Sequence, residues 1–194
     1  YDRKRKDLRY KQAGRGGLGT VLRDKRIKAV IVHTPPFAGD ANHPDDLERL
    51  IEVGTDMHRE VAEWDPKQNR MRSRGTSYLV QIMDDYDLLP VKNFKYGSHP
   101  ETPKINGDVW EDRYTQNMPD GCWYGCTVAC AHAVDNYTVQ TGPYAGGCAI
   151  VDGPEYETIA AVGANCGIFE PGPILEMNLY CDTYGIDTIS FGTA

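Results

Sequence analysis

No stretch of this chain approaches the roughly 20 consecutive apolar residues that a membrane-spanning helix needs, so no membrane span is expected. A secretory leader pattern is also missing, since residues 1–11 are dominated by charge. Without that context the six cysteines do not suggest a disulfide framework. A cytoplasmic protein is expected, in which cysteines serve as ligands or as small buried hydrophobes. Internal repeats and low-complexity tracts are absent, and strand signals are few. At 40% apolar and 25% charged residues the composition is that of a globular chain, not a disordered one. The first residue is Tyr instead of Met, and residues 187–194 read as an element cut short. A piece of a longer protein is therefore expected.

Charge is unevenly placed. Residues 1–28 hold eleven Lys or Arg against three Asp, whereas the remainder holds 25 acidic against 10 basic residues. A basic arm with Arg15-Gly16-Gly17 suggests nucleic acid at first sight. Base stacking needs aromatic platforms, however, and only Tyr1 and Tyr10 are interleaved with those basic residues. The arm therefore reads as a solvated connecting strand, with no nucleic-acid partner.

Hydrophobic periodicity divides the chain near residue 40. Before it, a glycine-rich turn (Gly14-Arg15-Gly16-Gly17-Leu18-Gly19) leads into a short helix over residues 20–25, and the apolar, β-branched run 28–32 predicts a buried strand. Residues 34–43 read as a linker. After it, helical spacing predicts helices over 45–63, 76–88, 109–118, 154–162 and 173–184, several with a proline near the start. In the second, Leu79, Ile82 and Met83 face a core; in the third, Trp110 and Tyr114 form an aromatic face. Residues 137–140 and 188–191 are the remaining strand candidates. The expected fold is mainly α: a multihelical domain over 41–194, preceded by a short α/β segment over 1–40.

The most informative stretch is Gly121-Cys122-Trp123-Tyr124-Gly125-Cys126-Thr127-Val128-Ala129-Cys130. Three thiolates this close can reach one inorganic centre, and three neighbouring Cys plus one remote Cys is a common supply for an iron–sulfur cluster. Structural zinc is the rival, with His132 completing a Cys₃His set. The spacing lacks the paired C-x₂-C knuckles usual for zinc. Cys148, Cys166, Cys181 or a cysteine outside residues 1–194 could supply a fourth cluster ligand.

At this point four stretches together resemble the aldehyde:ferredoxin oxidoreductase family, tungsten enzymes with a bis-pterin cofactor and a nearby four-iron cluster. They are the glycine-rich turn with Lys28-Ala29-Val30; Leu89-Pro90-Val91-Lys92-Asn93; the cysteine cluster; and Gly153-Pro154-Glu155-Tyr156-Glu157-Thr158 running on to Asp182-Thr183-Tyr184-Gly185-Ile186-Asp187. The resemblance implies a tungsten–bis-pyranopterin, a [4Fe-4S] cluster on Cys122, Cys126 and Cys130, and Mg²⁺ bridging the pterin phosphates. Arg15, Gly16 and Gly17 would contact a pterin phosphate, small residues and a guanidinium fork being suited to that job. Asp182, Gly185, Ile186 and Asp187 match the first of the family's two pterin-holding motifs. The second motif, which carries the fourth cluster cysteine in the family, is not in this sequence, nor is the family's catalytic histidine.

The same resemblance makes Glu157 the proton-transferring glutamate, leaving Glu155 as the ordinary first-turn acid favoured by a helix dipole. The first cysteine gap is three residues, where the family usually has two. With Trp123-Tyr124-Gly125, that departure makes the nearest similarity the tungsten subunit of class II benzoyl-CoA reductase, which dearomatises benzoyl-CoA. This reading makes Cys166 a candidate tungsten ligand. It implies an acyl-CoA substrate, electrons from an iron–sulfur electron-transfer subunit, and an oligomer. The alternative is oxidation of an aldehyde with ferredoxin as acceptor. A zinc-stabilised helical binding module is the alternative of another class.

Overall fold

The longest helix, α2, spans Leu47–Trp64 in the computed structural model, which describes residues 2–11, 15–33, 44–118, 120–122 and 125–193. Its start is set by Asp46, whose carboxylate accepts the Arg49 N–H at 2.8 Å and so satisfies one orphan donor of the first turn. No residue of α2 is buried, and His58 Nδ1 meets the Thr127 hydroxyl of the cysteine loop. Ahead of it lies α1, Leu18–Asp24, close to its predicted place. The buried strand expected over 28–32 does not form. Val30, Ile31 and Val32 are 74%, 89% and 81% exposed. Their β-branched side chains favour extended backbone, but a strand also needs a neighbour's ladder, and none of the described residues offers one. The boundary expected at residue 40 lies outside the described residues.

The helical part follows the predicted pattern with shifted ends. Helix α3 (Met71–Arg74) passes through a 3₁₀ turn into α4 (Leu79–Asp85), where Val80 is the fully buried residue, Met83 packs on the core and Ile82 stays exposed. Helix α5, Gly107–Arg113, is capped by Asn106, which accepts the Asp108 and Val109 N–H groups. It carries the expected aromatic face. Trp110 is fully buried with its indole N–H on the Ile105 carbonyl at 2.9 Å, and the Tyr114 hydroxyl donates to Pro154 O at 2.8 Å. Around Trp110 the core gathers Leu89, Val91, Ile105, Ile159 and Ile174.

Strands β1 (Ala133–Thr138) and β2 (Cys148–Asp152) form one antiparallel pair, irregular between Val134 and Tyr137. Beyond them, α6 (Tyr156–Thr158) runs into a π-helical turn, Ile159–Gly163, and then a 3₁₀ turn, Ala164–Cys166. Helix α7, Pro171–Tyr184, stops at Gly185, which sits in the left-handed region at φ 68°. Residues 188–191, expected as a strand, form the short helix α8 (Thr188–Phe191), because the Asp187 side chain accepts the Ile189 N–H at 3.0 Å and caps it.

The basic arm is solvated over most of its charged residues, as expected, but two of its arginines dock it. Arg5 is 4% exposed in its side chain and pairs with Asp135 at 2.7 Å, and the Arg9 side chain is 6% exposed. Arg9 also bridges to Ile150, so the arm lies beside β2. Backbone pairing and buried ion pairs together dock it.

Glu176 of α7 clamps the turn after β1. Its carboxylate accepts the Thr141 N–H at 3.1 Å and the Tyr137 hydroxyl at 3.2 Å, together with the Gln140 N–H and the Thr141 hydroxyl. Burial pushes its pKa up, but these hydrogen bonds outweigh that and hold it below the ordinary value of 4.5. Glu176→Ala leaves the Gln140 and Thr141 N–H groups without their acceptor. It is expected to destabilise the full-length protein by about 2 kcal/mol, seen as a lowered urea midpoint. An unchanged midpoint would show that the clamp is dispensable.

Candidate cofactor cleft and cysteine loop

The glycine-rich turn and the turn after α7 meet backbone to backbone. Gly16 and Gly17 both take φ near +70°, a conformation that glycine adopts without strain. The Gly16 N–H donates to Asp187 Oδ2 at 2.9 Å. A Cβ added at Gly19 would stand 2.7 Å from the Gly185 carbonyl oxygen, so only glycine permits this approach. Arg15 thereby reaches both acidic motifs, with its guanidinium 3.6 Å from Glu157 and 3.9 Å from Asp187.

Beside this junction opens a cleft of about 360 Å³, lined by Arg15, Asp152, Gly153, Glu155, Thr158, Asn178, Asp182, Ile186, Asp187 and Thr188. Arg15, Asp182, Ile186 and Asp187 were predicted for such a site. Asp152 and Asn178 were not. They stand on β2 and mid-α7, outside any motif, and reach the cleft because the Asn178 side chain donates to Asp152 O at 2.9 Å.

The two glutamates exchange the environments expected of them. Glu157 is exposed and faces Arg15. Glu155 is the sequestered one: it lines the cleft, hydrogen-bonds the Thr76 hydroxyl, and burial raises its pKa above the ordinary 4.5. The Tyr156 N–H donates to that same hydroxyl at 2.8 Å, turning the Glu155 side chain inward.

The cysteines occupy a loop whose base is closed by Asp120, its carbonyl accepting the Ala131 N–H at 3.2 Å. Cys122 is exposed, and Cys126 and Cys130 are half-buried. Burial raises the Cys130 pKa, and the charges of Glu155, Cys126 and Cys122 add to it, so the thiols act on one another. Among the described residues, no three His, Cys, Asp or Glu side chains converge at metal-binding distance. Trp123 and Tyr124 lie outside the described residues.

His132 is buried, stacks on Tyr114 at 4.7 Å, and has Nε2 against the Met71 carbonyl at 3.2 Å. That hydrogen bond engages one of the two ring nitrogens through which a Cys₃His zinc site could bind. Cys166 is not in the cleft lining; its Sγ lies 3.4 Å from Ala161 O and 3.7 Å from Gly192 O. The stretch 89–93 packs behind it, with the Lys92 and Asn93 N–H groups on the carbonyls of Ala164 and Asn165 at 3.0 and 2.7 Å.

Residues 52–194 match the family model for aldehyde ferredoxin oxidoreductase, domains 2 and 3. The chain belongs to the aldehyde ferredoxin oxidoreductase family. It is 33% identical over 187 residues to a tungsten-containing aldehyde ferredoxin oxidoreductase of Pyrococcus furiosus, covering 94% of this chain and 28% of that protein. It is 31% identical over 185 residues to the protein of that name in Thermococcus kodakarensis, covering 94% and 28%. A third relative, the aliphatic sulfonate oxidoreductase, WOR-like subunit of Pyrococcus furiosus, is 30% identical over 185 residues, covering 93% and 27%. The chain thus spans under a third of the length of these relatives.

The cleft's donor set suits a pterin of such an enzyme in kind. Arg15 offers a fork for phosphate and Asp182 a carboxylate for ring N–H groups, while Asp152 is held by Arg9 and Lys11 in the cleft wall. Asp187 is already engaged, receiving Gly16, Ile189 and the Ser190 hydroxyl, so it builds the cleft wall. The loop's three thiols suit a cluster in kind, and their convergence depends on the loop's conformation.

Glu155 generates a pH prediction. Its pKa is raised in the folded protein, so its stabilisation is complete below about 4.5 and is lost as pH rises through the folded value. Glu155→Gln keeps the neutral form at every pH. The variant's urea midpoint is therefore expected to gain on wild type between pH 5 and pH 8, and a constant difference would contradict the assignment.

Proposed function

We propose that this chain is the part of a tungsten–bispterin oxidoreductase that carries one pterin cleft and three ligands of a [4Fe-4S] cluster. We further propose that the full-length protein oxidises aldehydes to carboxylates with ferredoxin as acceptor. The observation that supports this most is the meeting of the glycine-rich turn, the Glu155–Glu157 segment and the Asp182–Asp187 segment around one cleft. Family membership and the aldehyde-oxidising names of the matched relatives favour this substrate class over benzoyl-CoA.

Tungsten and the cluster supply the redox chemistry when bound. Overall, an aldehyde and a water give a carboxylate, two electrons and three protons. Arg15 would hold the phosphate end of the pterin, together with a bound Mg²⁺, its guanidinium supplying positive charge there. Asp182 and Ile186 orient the ring, with Gly185 and Asp187 holding that turn in place. Glu157, 3.6 Å from the Arg15 guanidinium, would accept a proton from the reacting water. Cys122, Cys126 and Cys130 would hold the cluster, which would supply the electron-transfer chemistry, with the fourth ligand from Cys148 or from a cysteine outside this sequence. Cys181 is poorly suited, because it is buried within α7 and burial pushes its thiol up to about 11.

One feature favours a second reading. The three-residue gap between Cys122 and Cys126 is the departure on which the benzoyl-CoA reductase similarity rests. On that reading the substrate is an acyl-CoA, and Cys166, whose thiol here faces the Ala161 and Gly192 carbonyls, would be the residue to hold tungsten.

Full-length protein prepared without oxygen is expected to contain tungsten, iron and acid-labile sulfide, and to reduce ferredoxin with aldehydes. Zinc without tungsten would overturn both readings, and turnover of benzoyl-CoA in place of aldehydes would select the second. Cys126→Ser is expected to lose the cluster's visible absorbance. A full four-iron signal in that variant would remove Cys126 from the ligand set.

A further inference from the structure

Arg9 reaches three segments distant in sequence. Its guanidinium donates through one terminal nitrogen to Asp120, and through the other to Asp152 and to the His132 carbonyl at 2.7 Å; Nε reaches Asp152 at 3.1 Å. Asp120 is the base of the cysteine loop: it bridges to Cys130 and Ala131, and its carboxylate accepts the Gly121 N–H at 2.9 Å. Asp152 lines the cleft, and the Gly153 N–H donates to the same His132 carbonyl at 2.8 Å. Arg9 carries only 6% of its side-chain exposure, so its charge faces these groups with little water between.

We propose that Arg9 is a positioning residue that latches the cysteine loop to the wall of the cleft, fixing the three thiols relative to the space beside Arg15. It rests on the function proposed above for its meaning, though not for its geometry. A guanidinium suits the task because its planar fork can hold two carboxylates and a carbonyl at once, whereas a lysine ammonium is a point charge. Burial is tolerated because both acids are paired with the cation, and removing it would leave Asp152 with Lys11 alone and Asp120 without its guanidinium partner. The acids themselves favour the charged guanidinium: burial opposes it, but Asp152 and Asp120 raise its pKa. A cluster on these thiols would have that cation at the base of its loop, where Arg9 meets Asp120 and Asp120 bridges to Cys130. That charge favours the reduced, more negative cluster, so its loss is expected to make the potential more negative.

The test uses full-length protein purified without oxygen, as wild type, Arg9→Lys and Arg9→Ala. Hydrogen exchange of the Ala131 and Gly153 amides is expected to be about tenfold faster in Arg9→Ala while α7 is unchanged, with Arg9→Lys intermediate. The cluster potential, followed by electron paramagnetic resonance, is expected to fall in Arg9→Ala and to recover partly in Arg9→Lys, which keeps the charge. If Arg9→Ala does not fold, Asp120→Asn weakens one arm of the latch and is expected to loosen Ala131 more than Gly153. Unchanged exchange in these variants would overturn the latch, and faster exchange with an unchanged potential would reduce Arg9 to a merely structural role. A wild-type protein without cluster iron would overturn the function instead, and the exchange measurements would still decide the latch.

Discussion

Asp187 is where the two ends of the described chain are joined. One carboxylate oxygen starts α8 by accepting the Ile189 N–H at 3.0 Å; the other accepts the Gly16 N–H at 2.9 Å and the Ser190 hydroxyl at 3.2 Å. Burial alone would push the pKa of this acid up, but the three hydrogen bonds and the Arg15 charge hold it below its ordinary value of 3.8. It therefore stays ionised and keeps its partners. With Gly16 held there, Gly19 can lie on Gly185 and Arg15 can stand over the cleft. Remove that carboxylate, and the glycine-rich turn loses its anchor and the cleft loses its cation.

The rest of the frame follows the same logic. Irregular segments, which cannot satisfy their backbone groups through a helix or a sheet, are tied down by buried charged groups. Glu176 collects the turn after β1, Arg5 binds Asp135, and Arg9 joins the cysteine loop to the cleft wall. Such groups are costly to bury and are retained only where their hydrogen bonds are nearly complete. The π-helical turn after Glu157 belongs here too, since an extra residue in a helix re-aims the side chains next to a site.

Much of the helical part was legible because it rests on local rules. Asn106 begins α5, Gly185 ends α7, and the periodic placing of Trp110 and Tyr114 anticipates their burial. Strands were misjudged where local preference needs a distant partner. Residues 28–32 have the composition of a buried strand and no ladder among the described residues, while 188–191 were claimed by the capping of Asp187. The environments of the two glutamates were misjudged for a related reason. Their sequence positions are nearly equivalent, and only Thr76, from another segment, turns Glu155 inward.

The cleft was half legible. The glycine-rich turn, the Asp182 to Asp187 motif and the three cysteines are local patterns visible in order and spacing, and with them the sequence by itself determined the family and the helical class and marked the residues proposed for a pterin or a cluster. Only the tertiary structure decided that Arg15 faces both Glu157 and Asp187, that Asp152 and Asn178 join the cleft, and that Arg9 ties the cysteine loop to it. The physical reason is that an ion pair or a close backbone approach depends on distances in space. Those distances are set by how separate segments pack, and no local pattern of residues encodes them.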